Sequence, residues 1–165
     1  MVEFDEQRRF RDALGHFATG VAIVTAKGQS GEQMGMTISS FNSVSIDPPL
    51  VLFSVARTAT RLSILASADA YAVNVLRHDQ EDLCRYFARS QADRADVLIS
   101  LSASTYCPII DDALATFECI PHAEYDGGDH LIFVGEVVKF RAAEKAQPLL
   151  FYRGKITTIA VDVRI

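Results

Sequence analysis

The central stretch of the chain, residues 34–55, places a hydroxyl-rich segment between two apolar, strand-like runs. Positions 37–45 hold five Ser/Thr residues and one Asn, interleaved with single apolar residues. Asp47, Pro48 and Pro49 then stop the run, because proline lacks an N–H and biases the residue before it toward extended backbone. Two interpretations fit this pattern: an edge hairpin with a solvated face, or a rim of short hydrogen-bonding groups that receives a flat ligand with polar edges.

The spacing of apolar residues predicts a helix and a strand ahead of this stretch. Phe10, Leu14 and Phe17 fall on one face of a short helix over residues 4–17, which we expect to dock on the fold through that face. Residues 21–26, VAIVTA, predict a strand buried on both faces. A glycine-containing turn over 27–33 follows, so this strand should pair with the hydroxyl-rich strand as a hairpin.

The rest of the chain alternates between strands and short helices. The patterns predict helices over 59–67 and 79–90, strands over 50–55, 71–76 and 156–165, and an irregular excursion over 91–104. Asp126-Gly127-Gly128-Asp129 is a strong hairpin signal between strands over 115–125 and 130–142, since consecutive glycines supply the positive φ of a tight turn. About seven antiparallel strands with three short helices favour a closed barrel over a βαβ sheet, in a single domain over residues 1–165.

Composition and charge argue against several classes of function. The formal net charge of −5 and the scattered basic residues are unlike the basic surface of a nucleic-acid-binding protein. Cys84, Cys107 and Cys119 are odd in number and lack metal-ligand spacing, which argues against disulfides or a structural metal and favours a reducing compartment. The N-terminus has no signal-peptide core and no apolar run reaches the length of a membrane span. We therefore expect a soluble cytoplasmic protein without a bound metal.

Two regions are candidates for ligand contact on chemical grounds. The predicted helix over 59–67 begins near Arg61 and Ser63, where exposed amides, the helix dipole and a guanidinium would suit an anion. Ordinary capping explains the hydroxyls of this region equally well. His130 follows the Gly-Gly turn, where a hairpin mouth can present an imidazole to a ligand, and a surface role fits it as well. The glycine-rich motifs of Rossmann and P-loop nucleotide sites are absent.

Four segments together resemble one known family. Residues 128–137, GDHLIFVGEV, resemble the GDHxIxxGEV signature of the short-chain flavin reductases, the reductase partners of two-component flavin monooxygenases. Residues 37–51 look like the pair of strands at that family's flavin site. Residues 10–21 and 149–155 are similar to its opening and closing segments, so the resemblance covers about residues 8–160 in order. It implies an antiparallel Greek-key split barrel that forms homodimers, with flavin bound near the subunit interface.

The resemblance also implies roles for individual residues. Thr37, Ser39 and Ser40 would line the isoalloxazine ring and its ribityl chain, and His130 would contact the nicotinamide nucleotide. The other implied contacts are the backbone of Ser54 and Ala56, Arg61 or Ser63 at the flavin phosphate, Phe87 and the Arg89-Ser90 turn on the nucleotide side, and Tyr152 near the ring.

The activity that the resemblance implies is hydride transfer from NAD(P)H to FAD or FMN, with the reduced flavin supplied to a partner monooxygenase. No protein nucleophile is needed, because the cofactors carry the difficult chemistry and the protein holds two flat rings in contact. NADH is favoured over NADPH, because no arginine cluster awaits a 2′-phosphate. Two alternatives stay open: a reductase with permanently bound flavin that acts on another acceptor, and a non-enzymatic flavin carrier or sensor.

Overall fold

The structure, a computed structural model, describes residues 2–89 and 99–159. Its three helices are α1 (Val2–Leu14), α2 (Leu62–Ala66) and α3 (Glu81–Phe87). Its strands are β1 (Thr19–Gly20), β2 (Ala22–Lys27), β3 (Gln33–Ile38), β4 (Asn42–Ile46), β5 (Pro49–Ala56), β6 (Tyr71–Val75), β7 (Ile99–Leu101), β8 (Pro108–Ile110), β9 (Ala115–Gly127), β10 (His130–Ala142), β11 (Leu149–Tyr152) and β12 (Lys155–Thr158). The predicted mainly-β class is confirmed. Among the described residues, no helix combines the length and the apolar character needed to cross a membrane.

Seven strands form one antiparallel sheet in the order β3-β2-β6-β9-β10-β5-β4. β11 pairs with β1 and β12 in a second small sheet, and β7 pairs with β8. The predicted hairpin between β9 and β10 is confirmed, with His130 paired to Gly127 and a turn of only Gly128 and Asp129. The buried run over 21–26 is confirmed as β2, which pairs with β3 as predicted.

The prediction of a closed barrel is wrong, because the sheet stays open between β3 and β4 within the described residues. The hydroxyl-rich segment divides there: β3 ends at Ile38 and β4 begins at Asn42. Antiparallel pairing of Asn42 with Leu52 would place Ser40 opposite Ser54 on the next rung. There the Ser40 hydroxyl, rather than the Ser40 backbone, bonds to Ser54: it donates to the backbone O of Ser54 and accepts from its backbone N, both at 3.0 Å. The split barrel that the family resemblance implies is confirmed, with β3 and β4 as the two edges of the open sheet.

Two apolar clusters hold this architecture together. The larger fills the barrel, where the Phe53 ring stacks on Phe133 at 5.4 Å and meets the edge of Tyr71 at 5.3 Å. The smaller cluster contains Phe87 and fixes α3 against the sheet. A Cβ atom on Gly35 would lie 2.5 Å from the Phe87 ring, so this glycine lets α3 approach β3 closely. That approach creates one wall of the groove described below.

The predicted helices are present with shorter bounds, and α1 does not dock as expected. Phe10, Leu14 and Phe17 are 65%, 58% and 76% exposed, so the apolar stripe is not covered by the described part of this chain. The end of α1 is held through a bond from the Arg153 backbone N to Gly15 O at 2.9 Å. Residues 90–98 and 160–165, which include part of the predicted excursion and of the last predicted strand, lie outside the described residues.

Candidate functional site

A groove lies between the end of β3, the last turn of α3 and the β11–β12 hairpin. It encloses about 610 Å³, within the range of roughly 300–1,000 Å³ that ligand pockets commonly show. Thr37, in β3, and Ser39, just after its end, line the groove, and Phe151 and Ile156 of the hairpin form apolar parts of its wall. The groove therefore combines apolar surface with hydroxyl groups at one edge, which suits a flat ligand with polar edges.

The hydroxyls at the end of β3 are fixed to different extents. Thr37 Oγ1 donates to Cys84 O in α3 at 2.7 Å, which ties β3 to the helix and leaves the threonine oxygen free to accept a further bond. Ser39 is exposed in the groove wall. Ser40 lies next along the chain, but its hydroxyl is bonded to the backbone of Ser54. Thr37, Ser39, Ser40 and Ser54 thus form a continuous row from the groove onto β5.

His130 lies at the end of β10, beyond this row. It pairs with Ala56 across the β5–β10 ladder, two residues past Ser54. Its Nδ1 atom is 2.7 Å from a carboxylate oxygen of Asp129, and its side chain is 43% exposed. This hydrogen bond with His130 is the main reason that the pKa of Asp129 is lowered. The imidazole is therefore oriented by its neighbour, with one ring nitrogen bonded and the other available to a ligand.

Of the residues assigned from the sequence, only Thr37 and Ser39 line the groove, and four others lie apart from both the lining and the β5–β10 ladder. Arg61 Nη1 donates to Gln33 O at 3.3 Å, and Ser63 is exposed on α2. α2 has only five residues, and no side chain caps its N-terminus. Phe87 is 2% exposed and packs in the core, so its ring is not on the groove surface. Tyr152 is 40% exposed on β11, beside the groove residue Phe151.

Two positively charged side chains that the sequence interpretation missed also line the groove. Arg85 lines it from α3 and Lys155 lines it from the β11–β12 hairpin. Arg85 is already engaged, since its Nε donates to Glu81 Oε1 at 2.8 Å. The helical spacing of Glu81 and Arg85 predicts their pairing, but nothing local shows that residues 85 and 155 face the same space. Among the described residues, no group of three or more His, Cys, Asp or Glu is arranged to hold a metal ion.

The fold is a split barrel with a groove at its edge, and comparison with known proteins identifies its family. The family model described as "Flavin reductase like domain" matches residues 14–160. The FMN reductase (NADH) SmoA of Agrobacterium fabrum is 43% identical over 91% of this chain and 84% of its own length. The reductase component of the flavin-dependent trigonelline monooxygenase of Acinetobacter baylyi is 40% identical over 93% of this chain, which spans about half (49%) of that relative.

A solved structure shows the same fold. The NADH:FAD oxidoreductase SgcE6 of Streptomyces globisporus, in complex with NAD and FAD fragments, superimposes with a TM-score of 0.91 and 38% identity, over 97% of this chain and 96% of that chain. The chain belongs to the flavin reductase like family. The resemblance found in the sequence is therefore confirmed.

Proposed function

We propose that this protein is an NADH-dependent flavin reductase that transfers hydride to FMN or FAD and supplies the reduced flavin to a partner monooxygenase. The observation that carries the proposal is the groove itself, which combines apolar walls with the hydroxyls of Thr37 and Ser39. Ser40, next along the chain, bonds Ser54 on β5, two positions before Ala56, the partner of His130 in the β5–β10 ladder. The similarity to SmoA and to SgcE6, whose names specify NADH with FMN or FAD, supports the same activity.

In this proposal, the residues of the chain bind the flavin and the nicotinamide nucleotide and orient their rings. Thr37 and Ser39 hydrogen-bond the polar edge of the ring system, and the walls around Phe151 hold its flat faces away from water. Ser40, Ser54 and Ala56 continue the site along β5 toward the ribityl chain. When both ligands are bound, the nicotinamide supplies the hydride that the flavin accepts at N5.

His130 belongs to the nicotinamide side of this arrangement, and Tyr152 belongs to the side of the flavin ring. His130 Nε2 binds the nicotinamide nucleotide, because Nδ1 is held by Asp129. Tyr152, adjacent to the groove on β11, borders the ring. Phe87 contributes by fixing α3, since its side chain is buried.

Partners follow from the same proposal. The protein acts as a cytoplasmic homodimer that hands reduced flavin to a monooxygenase, and the three buried, free cysteines fit a reducing compartment. The flavin phosphate is bound by the cationic side chains that line the groove or by Arg61 and Ser63 at the start of α2. The two groups of residues lie on different elements, so single substitutions can show which group binds the phosphate.

The decisive experiment mixes purified protein with NADH and an excess of FMN or FAD and follows the loss of NADH absorbance. We expect oxidation that depends on added flavin, with NADPH a poorer donor. Oxidation without added flavin would favour a permanently bound flavin and another acceptor. Absence of oxidation with either flavin, in protein that binds flavin by titration, would leave a carrier or sensor and end the reductase proposal.

A further inference from the structure

Arg57 is the first residue beyond the last β5–β10 pair, and it bonds to the β9–β10 turn, which immediately precedes His130. Its backbone N donates to Asp129 O at 2.9 Å. Its guanidinium Nε donates to Gly128 O at 2.9 Å, and its Nη2 lies 3.0 Å from a carboxylate oxygen of Asp126. One side chain and its own backbone thus contact three residues of a four-residue segment.

The turn gains a defined shape from these contacts. Gly128 has φ +77°, and both turn residues are exposed, so no apolar packing holds them. The other carboxylate oxygen of Asp126 accepts the backbone N–H of Gly128 at 2.9 Å, which closes the turn from inside. This bond and the ion pair with Arg57 hold the pKa of Asp126 below its usual range. The planar guanidinium donates to a carbonyl and a carboxylate from two nitrogens held in a fixed geometry, whereas a lysine offers all its donors from a single nitrogen.

The same turn orients the imidazole. Asp129, whose carbonyl accepts from Arg57, places its carboxylate 2.7 Å from His130 Nδ1. Arg57 therefore fixes the turn backbone, the backbone fixes the Asp129 side chain, and that side chain orients the imidazole ring. An exposed ion pair contributes little to folding stability, so these contacts have more effect on orientation than on the fold.

We infer that Arg57 is a positioning residue for His130: it fixes the β9–β10 turn so that the imidazole is held for the nicotinamide nucleotide. This inference rests on the proposed function for the role of His130. It adds that the reaction depends on a residue that acts through the β9–β10 turn.

The first test compares Arg57→Gln with the wild-type protein. We expect the apparent KM for NADH to rise by about fivefold, because a loosened catalytic side chain loses orientation. The flavin dissociation constant and the melting temperature should stay close to wild type. Arg77→Gln is the matched control, since Arg77 makes a comparable exposed pair with Asp79 in the segment before α3. Arg57→Lys should restore only part of the loss.

A double-mutant cycle separates positioning from direct contact. In a His130→Ala background, Arg57→Gln should have no further effect on the KM for NADH, because the group that it positions is gone. An equal effect in both backgrounds, or a parallel loss of flavin affinity, would overturn the inference.

The orientation of His130 can also be measured by NMR, without any enzymatic turnover. In the NMR spectrum of the ligand-free protein, the imidazole signals that vanish in His130→Ala identify this residue. Arg57→Gln should shift or broaden those signals, and Arg77→Gln should leave them unchanged. Unchanged His130 signals in Arg57→Gln would overturn the positioning role, whereas a wild-type protein that does not oxidise NADH would overturn only the proposed function.

Discussion

Gly135, in the GDHLIFVGEV segment, shows how a single residue of the motif can be explained by packing. A Cβ atom built on Gly135 would lie 2.4 Å from the Tyr71 hydroxyl and 2.9 Å from Cys119 Cβ. We expect Gly135→Ala to destabilise the protein by about 1–3 kcal/mol, the usual cost of overpacking a core. Urea denaturation measures this change. Gly20→Ala is the control, because a Cβ there meets nothing within 4 Å.

The Tyr71 hydroxyl, which the new Cβ atom would meet, provides a second test of this prediction. It is buried without a hydrogen-bond partner among the described residues, and burial raises its pKa. Because an unsatisfied buried hydroxyl costs free energy, Tyr71→Phe should be neutral or stabilising by up to about 1 kcal/mol. Gly135→Ala should then cost less in the Tyr71→Phe background. Equal costs in both backgrounds would show that Cys119, rather than the hydroxyl, resists the new methyl group.

Cys84 can report whether flavin occupies the groove. It lines the groove from α3 and is 5% exposed, and burial raises the pKa of its thiol. Since the thiolate is the reactive form, we expect slow reaction with Ellman's reagent near neutral pH and slower reaction when FMN is bound. Cys84→Ala should remove the flavin-sensitive phase. An unchanged rate at a saturating FMN concentration would place the flavin elsewhere.

The other two cysteines are the internal reference for that experiment. Cys107 and Cys119 are 1% and 0% exposed. Burial raises the pKa of both thiols, that of Cys119 to about 12. They should react only after unfolding in denaturant, with or without flavin. Early reaction of either thiol would mean that the core opens locally under native conditions.

At the scale of elements, α2 and the β11–β12 hairpin are alternative sources of the cation that binds the flavin phosphate. The sequence favours Arg61 on α2, whereas Lys155 on the hairpin lines the groove. We expect Lys155→Gln to weaken FMN binding by about fivefold, the scale of one charge-assisted contact at a partly exposed site. Riboflavin, which lacks the phosphate, should bind this variant as it binds wild type.

Two further variants complete that comparison. Lys145→Gln removes an exposed lysine outside the groove lining and should change neither affinity. If Arg61→Gln weakens FMN binding selectively and Lys155→Gln does not, the phosphate lies at α2 and the sequence interpretation is correct. Fluorescence titration of the apo wild-type protein and the three variants with FMN and riboflavin measures both dissociation constants of each protein.

The elements that sequence predicts well are those specified by local pattern. The β9–β10 hairpin follows from alternation and from consecutive glycines, and the bounds of β10 match the prediction. The opening of the barrel is not local: it is seen only in the strand order of the whole sheet, in which β3 and β4, neighbours along the chain, are the two opposite edges. A row of hydroxyls predicts polar partners, but it does not show which hydroxyl bonds the backbone and which faces a ligand.

The groove was only half predictable for a similar reason. Thr37 and Ser39 were found because they lie in one short segment with an unusual pattern. Lys155 comes from a hairpin more than a hundred positions away, which is brought beside β3 by long-range pairing such as that of β11 with β1. Arg57 was missed because its partners, residues 126–129, are joined to it through sheet register.

At the scale of the whole molecule, the exposed apolar residues mark surface that a single chain leaves uncovered. Large side chains on three separate elements are strongly exposed: Phe10 65%, Leu14 58%, Ile46 90% and Phe140 72%. Isolated exposed apolar residues are ordinary, but an uncovered helix stripe together with uncovered strand ends is typical of an interface. A second copy of the chain is the occupant that the family resemblance implies.

We therefore expect sedimentation to give a particle of about twice the 18.1 kDa chain mass, because obligate interfaces bury apolar surface of this kind. Replacing both Phe10 and Leu14 by Ala removes the stripe while keeping good helix formers in α1, and should shift the equilibrium toward monomer. Flavin affinity should fall with it if the site is completed at the interface. Tyr106→Ser, at a 71% exposed residue on the β7–β8 connection, is the control and should leave the mass unchanged. A wild-type monomer at micromolar concentration that still binds flavin tightly would contradict the dimer and show that one barrel holds the whole site.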